Sequence, residues 1–294
     1  MNIFEQYPNF IASDPRTQRE KSAYTVTPAF MSARHECFFW GMPDLKGKTV
    51  LDLGCCVGGT GAWVLAKGAS FYTGVEYHKD LADIAITNLA VFENEKWKII
   101  QQSVEDFLNN PDRPKYDIIV ASGLIYSFYE PIPILNNIAK LGDSIIIESG
   151  HSYGRAPHFN SKHPFLKAAF NENQIAAIEK SQSWVDFVES EIVINYSRCY
   201  MILGTSEQSV CYNASVPSMG FIINHFEHYG FKVNPDVNNM IKKFIPDIYN
   251  ITNRYAVRLE KKLDVAQSQG FVSAVTEKTS DSIIKKWKDI DVAI

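Results

Sequence analysis

Residues 50 to 61 read VLDLGCCVGGTG: an apolar run, an acid at Asp52, then a loop of Gly54, Gly58, Gly59 and Gly61 holding Cys55 and Cys56. Glycines let a ligand approach the backbone, and open α/β sheets bind ligands in the crevice outside the carboxyl ends of their strands. Two ligand classes meet objections here. A dinucleotide loop, G-x-G-x-x-G, needs its second glycine where the pyrophosphate meets the backbone, and counting from Gly54 that place holds Cys56. A phosphate loop, G-x-x-x-x-G-K-[ST], finds its spacing in Gly54 and Gly59, but Thr60 follows directly and the lysine is missing. Asp52 is a further poor neighbour for phosphates. A cationic ligand without phosphate meets neither objection.

The elements that must position this loop alternate. KTVLDL reads as a buried strand, Gly59 to Lys67 as a short helix closed by Gly68, and FYTGVE as a second strand. KDLADIAITNLAVF sets Leu81, Ile84, Ala85, Leu89 and Phe92 on one helical face. KIIQ, YDIIVA and SIIIES read as further strands, with IPILNNIAKL a helix closed by Gly142. Near-continuous Val/Ile runs mean strands buried on both faces, as in a parallel sheet between helices. Upstream, the first ~25 residues read as a polar, proline-containing loop or lid, and TPAFMSARHECFFWGM as a helix with Pro28 in its first turn, ending near Gly41. PSMGFIINHFEHYGFKV reads as a helix into a strand, and RYAVRLEKK as a last strand. The predicted fold is α/β, a Rossmann-like, doubly wound, mostly parallel seven-stranded sheet. Its segments are a lid and helix over 1–46, a core over 47–150, a substrate-capping insertion over 151–216, completion of the sheet over 217–264, and a polar tail over 265–294 in which SIIKKW reads as a docking helix.

S-adenosylmethionine (SAM), with a sulfonium, an ammonium and an adenosine, is a cationic ligand of the required kind. VLDLGCCVGGTG resembles motif I of the class I SAM-dependent methyltransferases, and three further matches follow in that family's order. TGVEYH places Glu76 at the end of the second strand, 24 residues (76 − 52) after Asp52, where a carboxylate accepts bonds from both ribose hydroxyls. IIQQSVEDF resembles the adenine-binding motif, with Ser103 where an Asp is usual and Val104 offering the next backbone N–H. YDIIVASGLIYSF resembles the fourth-strand motif, whose exit at Ser122 and Gly123 lines the methyl-transfer site. The resemblance covers 34–150 and resumes near 217–260. It implies cofactor contacts at Asp52, Gly54, Cys55, Cys56, Gly58, Glu76, Tyr77, Ser103, Val104, Ser122 and Gly123, with SAM as cofactor and S-adenosylhomocysteine as product. Arg34 either pairs with the SAM carboxylate or is a surface residue. Cys55 and Cys56 read as small apolar fillers rather than nucleophiles.

Methyl transfer is an in-line displacement at sulfonium, so positioning and exclusion of water supply much of the acceleration. The turn Ala121–Leu124 lacks the [DNS]-P-P-[FYW] pattern of enzymes acting on base amines. No cysteine stands ready for pyrimidine C5 chemistry, and the strand ends supply no Asp/Asn metal ligands. SGLIYSFYEP with LGDSIIIESG resembles GVLYHLxDP with GGxLIIET, found in tRNA wobble-uridine methyltransferases and many small-molecule enzymes, with Ser127 in place of the usual His. Tyr126, Phe128 and Tyr129 form an aromatic wall for the acceptor or belong to the core. Tyr126 is therefore a candidate catalytic residue and Tyr129 a substrate contact. His151, just past the fifth strand, is placed to act as a base, histidine titrating near neutrality, or is a hydrogen-bonded loop residue. Tyr153, Arg155 and His158 are candidate substrate contacts. The spacing of His151, His158 and His163 lacks a Cys/His zinc pattern, so no metal is expected.

Composition sets the remaining bounds. The 294 residues carry a net charge of −4, a pI near 6.0, and no apolar stretch of membrane-spanning length. The start lacks a basic region followed by an apolar core, and the five cysteines are an odd number, so a cytoplasmic protein with reduced thiols is expected. Its expected acceptor is a small metabolite, natural product or sugar methylated on O or N. The alternatives are an RNA-modifying enzyme of the wobble-uridine type and a SAM-binding protein without transferase activity.

Overall fold

The computed structural model describes residues 2–17, 26–42, 44–128, 130–150, 194–202, 209–217, 219–234, 236–244 and 254–261. The sheet runs β3 (Trp97–Gln101), β2 (Phe71–Glu76), β1 (Thr49–Leu53), β4 (Tyr116–Ser122), β5 (Gly142–Gly150), β9 (Arg254–Lys261), β8 (Phe231–Asn234). The first five strands are parallel; β9 is antiparallel to both β5 and β8. The order reverses between β1 and β4, so the loops after these strands open the crevice where ligands bind in doubly wound sheets.

Alternation along each strand divides the core in two. Val50, Tyr72, Ile118, Val120 and Ile146 face a layer holding α3 (Pro28–Phe38) and α4 (Gly59–Ala66), with Met31, Phe38 and Trp63. Leu51, Leu53, Val75, Ile119 and Ile147 face α6 (Val104–Asn109), α7 (Pro131–Leu141) and α8 (Met219–Glu227), through Phe107, Leu135 and Phe226. Strands buried on both faces produce the unbroken apolar runs of the sequence. α5 (Lys79–Leu89) buries Ala82, Ala85 and Leu89.

Two elements differ from expectation. The N-terminal stretch contains two single-turn helices, α1 (Ile3–Gln6), capped by Asn2, and α2 (Asn9–Ala12), whose Phe4 and Phe10 are buried in the core. One turn is too short for a periodic pattern, and each buried Phe contributes roughly 1.5–3 kcal/mol. α9 (Asp236–Phe244), a segment given no element in the sequence reading, is a helix held by Val237 and Ile241. Of the insertion, β6 (Ile194–Ile202) and β7 (Ser209–Pro217) form an antiparallel ribbon. β7 passes against the turn Ile125–Ser127, and the Tyr255 hydroxyl donates to Pro217 O at 2.8 Å. Residues 262–294, including SIIKKW, lie outside the described residues. No described helix is long and apolar enough to cross a membrane.

Candidate functional site

The loop after β1 is built from left-handed residues. Gly54, Cys56 and Gly58 have φ of 74°, 51° and 85°. The amides of Gly54 and Cys55 both donate to Val75 O, at 2.8 and 3.0 Å, tying the loop to the end of β2. Cys56 thus sits where glycine is usual and meets the backbone requirement at a cost of roughly 1–2 kcal/mol. Gly58 leads into α4. One turn on, a Cβ at Gly61 would stand 2.6 Å from the Tyr72 ring, so only glycine lets this helix lie so close to β2.

Glu76 joins the two loops. Its Oε2 accepts the Cys56 N–H and its Oε1 the His78 N–H, both at 2.9 Å. Each carboxylate oxygen can accept more than one hydrogen bond, so Glu76 retains capacity for a pair of vicinal hydroxyls. Tyr77 follows it, 64% exposed, its carbonyl accepting from Gln101 Nε2 at 2.9 Å. Ser103 is the N-cap of α6, its hydroxyl accepting from Asp106 N at 3.0 Å. Val104 is the first residue of that helix, where N–H groups have no intrahelical partner, while its side chain is buried in the core.

The two loop cysteines are not poised to attack. Burial drives the Cys55 thiol well above its ordinary range, and a Cβ at Gly74 would lie 2.7 Å from its Sγ, so it fills space. Burial, helped by the charge of Asp14, pushes Cys56 up to about 12. Nucleophilic cysteines need the thiolate, and both environments oppose it. Asp52 is 3% exposed and accepts from the Tyr72 hydroxyl at 2.9 Å. Its burial raises its pKa to about 6.

Across the crevice, at the carboxyl ends of β4 and β5, lies an ionic cluster absent from the expectation. Glu148 is buried and meets Arg34 Nη2 at 2.5 Å and Arg254 Nε at 3.2 Å. Ser122 Oγ bonds both Arg34 and Glu148. Burial opposes the charge on Glu148, yet Arg254, Arg34 and Ser122 outweigh it and hold the carboxyl well below its usual range. Arg34 is therefore not a surface residue. Arg254 also reaches the Tyr126 hydroxyl at 3.4 Å, its guanidinium 5.4 Å from the ring centre. Gly123, φ 68°, donates to Glu148 O at 2.9 Å, and a Cβ there would stand 3.1 Å from Arg254 Nη2. The cluster fastens α3 and β9 to the turn after β4. The signal in sequence is faint: an acid closing the SIIIES run and an arginine opening RYAVRL.

The structure thus gathers Asp52, Gly54, Cys55, Cys56, Gly58 and Glu76 on the β1–β2 side, and Ser122, Gly123, Tyr126 and Arg34 on the β4–β5 side. Tyr129, His151, Tyr153, Arg155 and His158 lie outside the described residues. A backbone cradle of left-handed residues, beside a carboxylate that retains acceptor capacity, fits the adenosyl cation expected from the sequence.

The sequence matches the methyltransferase-domain family over residues 51–142. No curated protein sequence matches the chain. Among solved structures, a candidate SAM-dependent methyltransferase from Listeria monocytogenes superposes with a TM-score of 0.50 at 15% identity, covering 78% of this chain and 98% of that one. A SAM-dependent methyltransferase from Mesorhizobium loti gives 0.46 at 9% identity, over 79% and 100%. The magnesium protoporphyrin IX methyltransferase of Synechocystis, solved with S-adenosylhomocysteine, gives 0.47 at 12% identity, over 88% and 99%.

Proposed function

We propose that this chain, whose residues 51–142 match the methyltransferase-domain family, is a class I SAM-dependent methyltransferase acting on an O or N atom of a small molecule, a metabolite, natural product or sugar. What supports the acceptor class is the strand β7 at the exit of β4, which we read as a cover. There the insertion's strand β7 passes against the turn Ile125–Ser127, fastened through Tyr255 to Pro217. A site roofed by its own chain suits an acceptor small enough to sit beneath the roof. It excludes water from a displacement that gains from desolvation.

When bound, the cofactor would supply an electrophilic methyl group on its sulfonium sulfur, open to displacement by the acceptor's lone pair. In this reading Glu76 takes the ribose hydroxyls while its bonds to Cys56 and His78 hold two loops in register. The backbone of Gly54 to Gly58 receives the amino-acid portion of SAM, with Asp52 beneath it and Arg34 contributing charge toward the carboxylate. Ser103 and the Val104 N–H address the adenine, with Tyr77 beside it. Ser122 and Gly123 line the transfer site, and Tyr126, held by Arg254, faces the acceptor. On sequence grounds we retain His151 as the base, with Tyr129, Tyr153, Arg155 and His158 as acceptor contacts. The odd number of cysteines, two of them adjacent, favours the cytoplasm.

Methyl-labelled SAM incubated with the protein and either a small-molecule extract or total RNA tests this reading. Label is expected in the small-molecule fraction. Label in RNA, with binding that weakens steeply as salt rises, would replace the small acceptor by nucleic acid.

A further inference from the structure

Asn88 of α5 is 5% exposed and holds two segments at once. Its side-chain amide donates to Val57 O in the cofactor loop at 3.1 Å and to Ser13 Oγ in the N-terminal segment at 3.0 Å. The Ser13 hydroxyl spends its own hydrogen on Asn9 O at 2.6 Å, so toward Asn88 it accepts. Both partners therefore need the NH2 group, and the reverse amide orientation would set the Asn88 oxygen against the Val57 carbonyl.

On the loop side, Val57 lies between the left-handed residues Cys56 and Gly58. The same stretch of α5 seats Gly58, where a Cβ would stand 3.3 Å from Leu89 and 3.5 Å from Ala85. On the other side, Ser13 leads into Asp14, 2% exposed, whose carboxylate takes Arg16 N and Nε at 2.9 Å and Nη2 at 2.5 Å. The charge of Asp14 acts on the Cys56 thiol, so this turn stands beside the loop. The start of the segment is anchored by packing, with Phe4 against His35 and Trp63, and Tyr7 against Phe92. Between α2 and α5 there is instead a cleft of about 450 Å³, with Ser13 and Asn88 in its wall. Across that cleft the Asn88–Ser13 bond joins the segment to the helix.

We propose that Asn88 is a positioning residue of the cofactor site, a latch that couples the order of the loop Gly54 to Gly58 to the seating of residues 2–17. The proposal rests on the cofactor reading above. SAM held by the loop backbone fixes Val57, Val57 fixes the Asn88 amide, and the amide keeps its second hydrogen on Ser13. Coupling of this kind is reciprocal. A seated segment therefore holds the loop in the conformation that SAM binds, and ordering either one lowers the cost of ordering the other.

Amide hydrogen exchange read by mass spectrometry, with and without SAM, tests the coupling. In the wild type, saturating SAM is expected to slow exchange in peptides from residues 2–17 about 5- to 10-fold, the scale of a modest coupling between sites. Ser13→Ala cuts the segment's link and leaves the Val57 bond; it is expected to bind SAM without that slowing. Asn88→Asp sets a carboxylate against the Val57 carbonyl. It is expected to lose the slowing and to bind SAM about 10-fold more weakly. A purely structural Asn88 would lower the denaturant midpoints and leave the SAM-dependent difference in exchange where it was. Equal slowing in wild type and Ser13→Ala, or none in a wild type saturated with SAM, would overturn the proposal while leaving cofactor binding intact. Failure of the wild type to bind SAM would instead defeat the cofactor reading, and the latch with it. Should Asn88→Asp not fold, Ser13→Ala decides alone, since it removes a single hydroxyl from a half-buried turn.

Discussion

Replacing Glu76 by Gln tests whether this carboxylate does two things at once. Both of its oxygens accept backbone N–H groups, from Cys56 and His78, each at 2.9 Å. An amide has one acceptor oxygen, so whichever way it turns, its NH2 faces one of those donors. A part-buried donor left without a partner costs up to about 1–3 kcal/mol, and hydrogen bonds to a charged group contribute about 1.5–3 kcal/mol. The first cost falls on the ligand-free loop and shows as lowered stability. The second falls on the complex, through the ribose hydroxyls. SAM affinity is expected to drop by about 1–3 kcal/mol, roughly 5- to 150-fold, measured by calorimetry, with a lower denaturant midpoint for the ligand-free variant. A variant that lost stability but bound SAM as wild type does would confine Glu76 to holding the loops. One that bound and folded normally would refute both roles.

Other expectations concern the frame of the site. Glu148→Gln leaves Arg34 and Arg254 against each other without their buried anion and is expected to cost about 3–5 kcal/mol in denaturant unfolding; a loss below about 1 kcal/mol would mean the cluster is not energetically coupled. Cys56→Gly relieves a left-handed side chain but frees the unfolded chain, so its stability is expected within about 1 kcal/mol of wild type. Cys56→Val, branched at Cβ, should be worse by about 1–2 kcal/mol, and equal midpoints for the two would contradict the observed φ. Asp52 gives a pH signature in the ligand-free protein. Burial raises its pKa from the ordinary 3.8 to about 6, so its contribution is present below pH 4 and lost as pH rises through 6. The amplitude is roughly 3 kcal/mol for two units, and Asp52→Asn should be flat through that window.

The parts of the site legible in sequence are those in which one local segment states its own requirement. VLDLGCCVGGTG specifies strand, loop and helix within 12 residues, and Glu76 closes the next strand, so alternation and spacing locate both. What escaped detection is held by pairing across the chain. Glu148 meets Arg34 and Arg254 over sequence separations of 114 and 106 residues, and an acid at a strand end looks the same whether it faces water or two guanidiniums. The one-turn helices at the N-terminus escaped for another reason: two phenylalanines anchor them, with no periodicity to read.

That distinction bears on how the two sides of the crevice work. The β1–β2 side is held by backbone amides meeting one carboxylate, an arrangement that a short motif encodes. The β4–β5 side is held by side chains converging from α3, β5 and β9 on Glu148 and Ser122. The turn Ser122 to Tyr126, proposed to line methyl transfer, is thus positioned by a strand that also holds β7, since β9 carries both Arg254 and the Tyr255 that bonds Pro217. A shift of β7 has a direct mechanical route, through two adjacent residues of one strand, to the Tyr126 phenol. In the proposed reading, cofactor binding on one side and acceptor fit on the other are set by separate sets of contacts. Substitutions in the Glu148 cluster are expected to change acceptor turnover more than SAM affinity, and those around Glu76 the reverse.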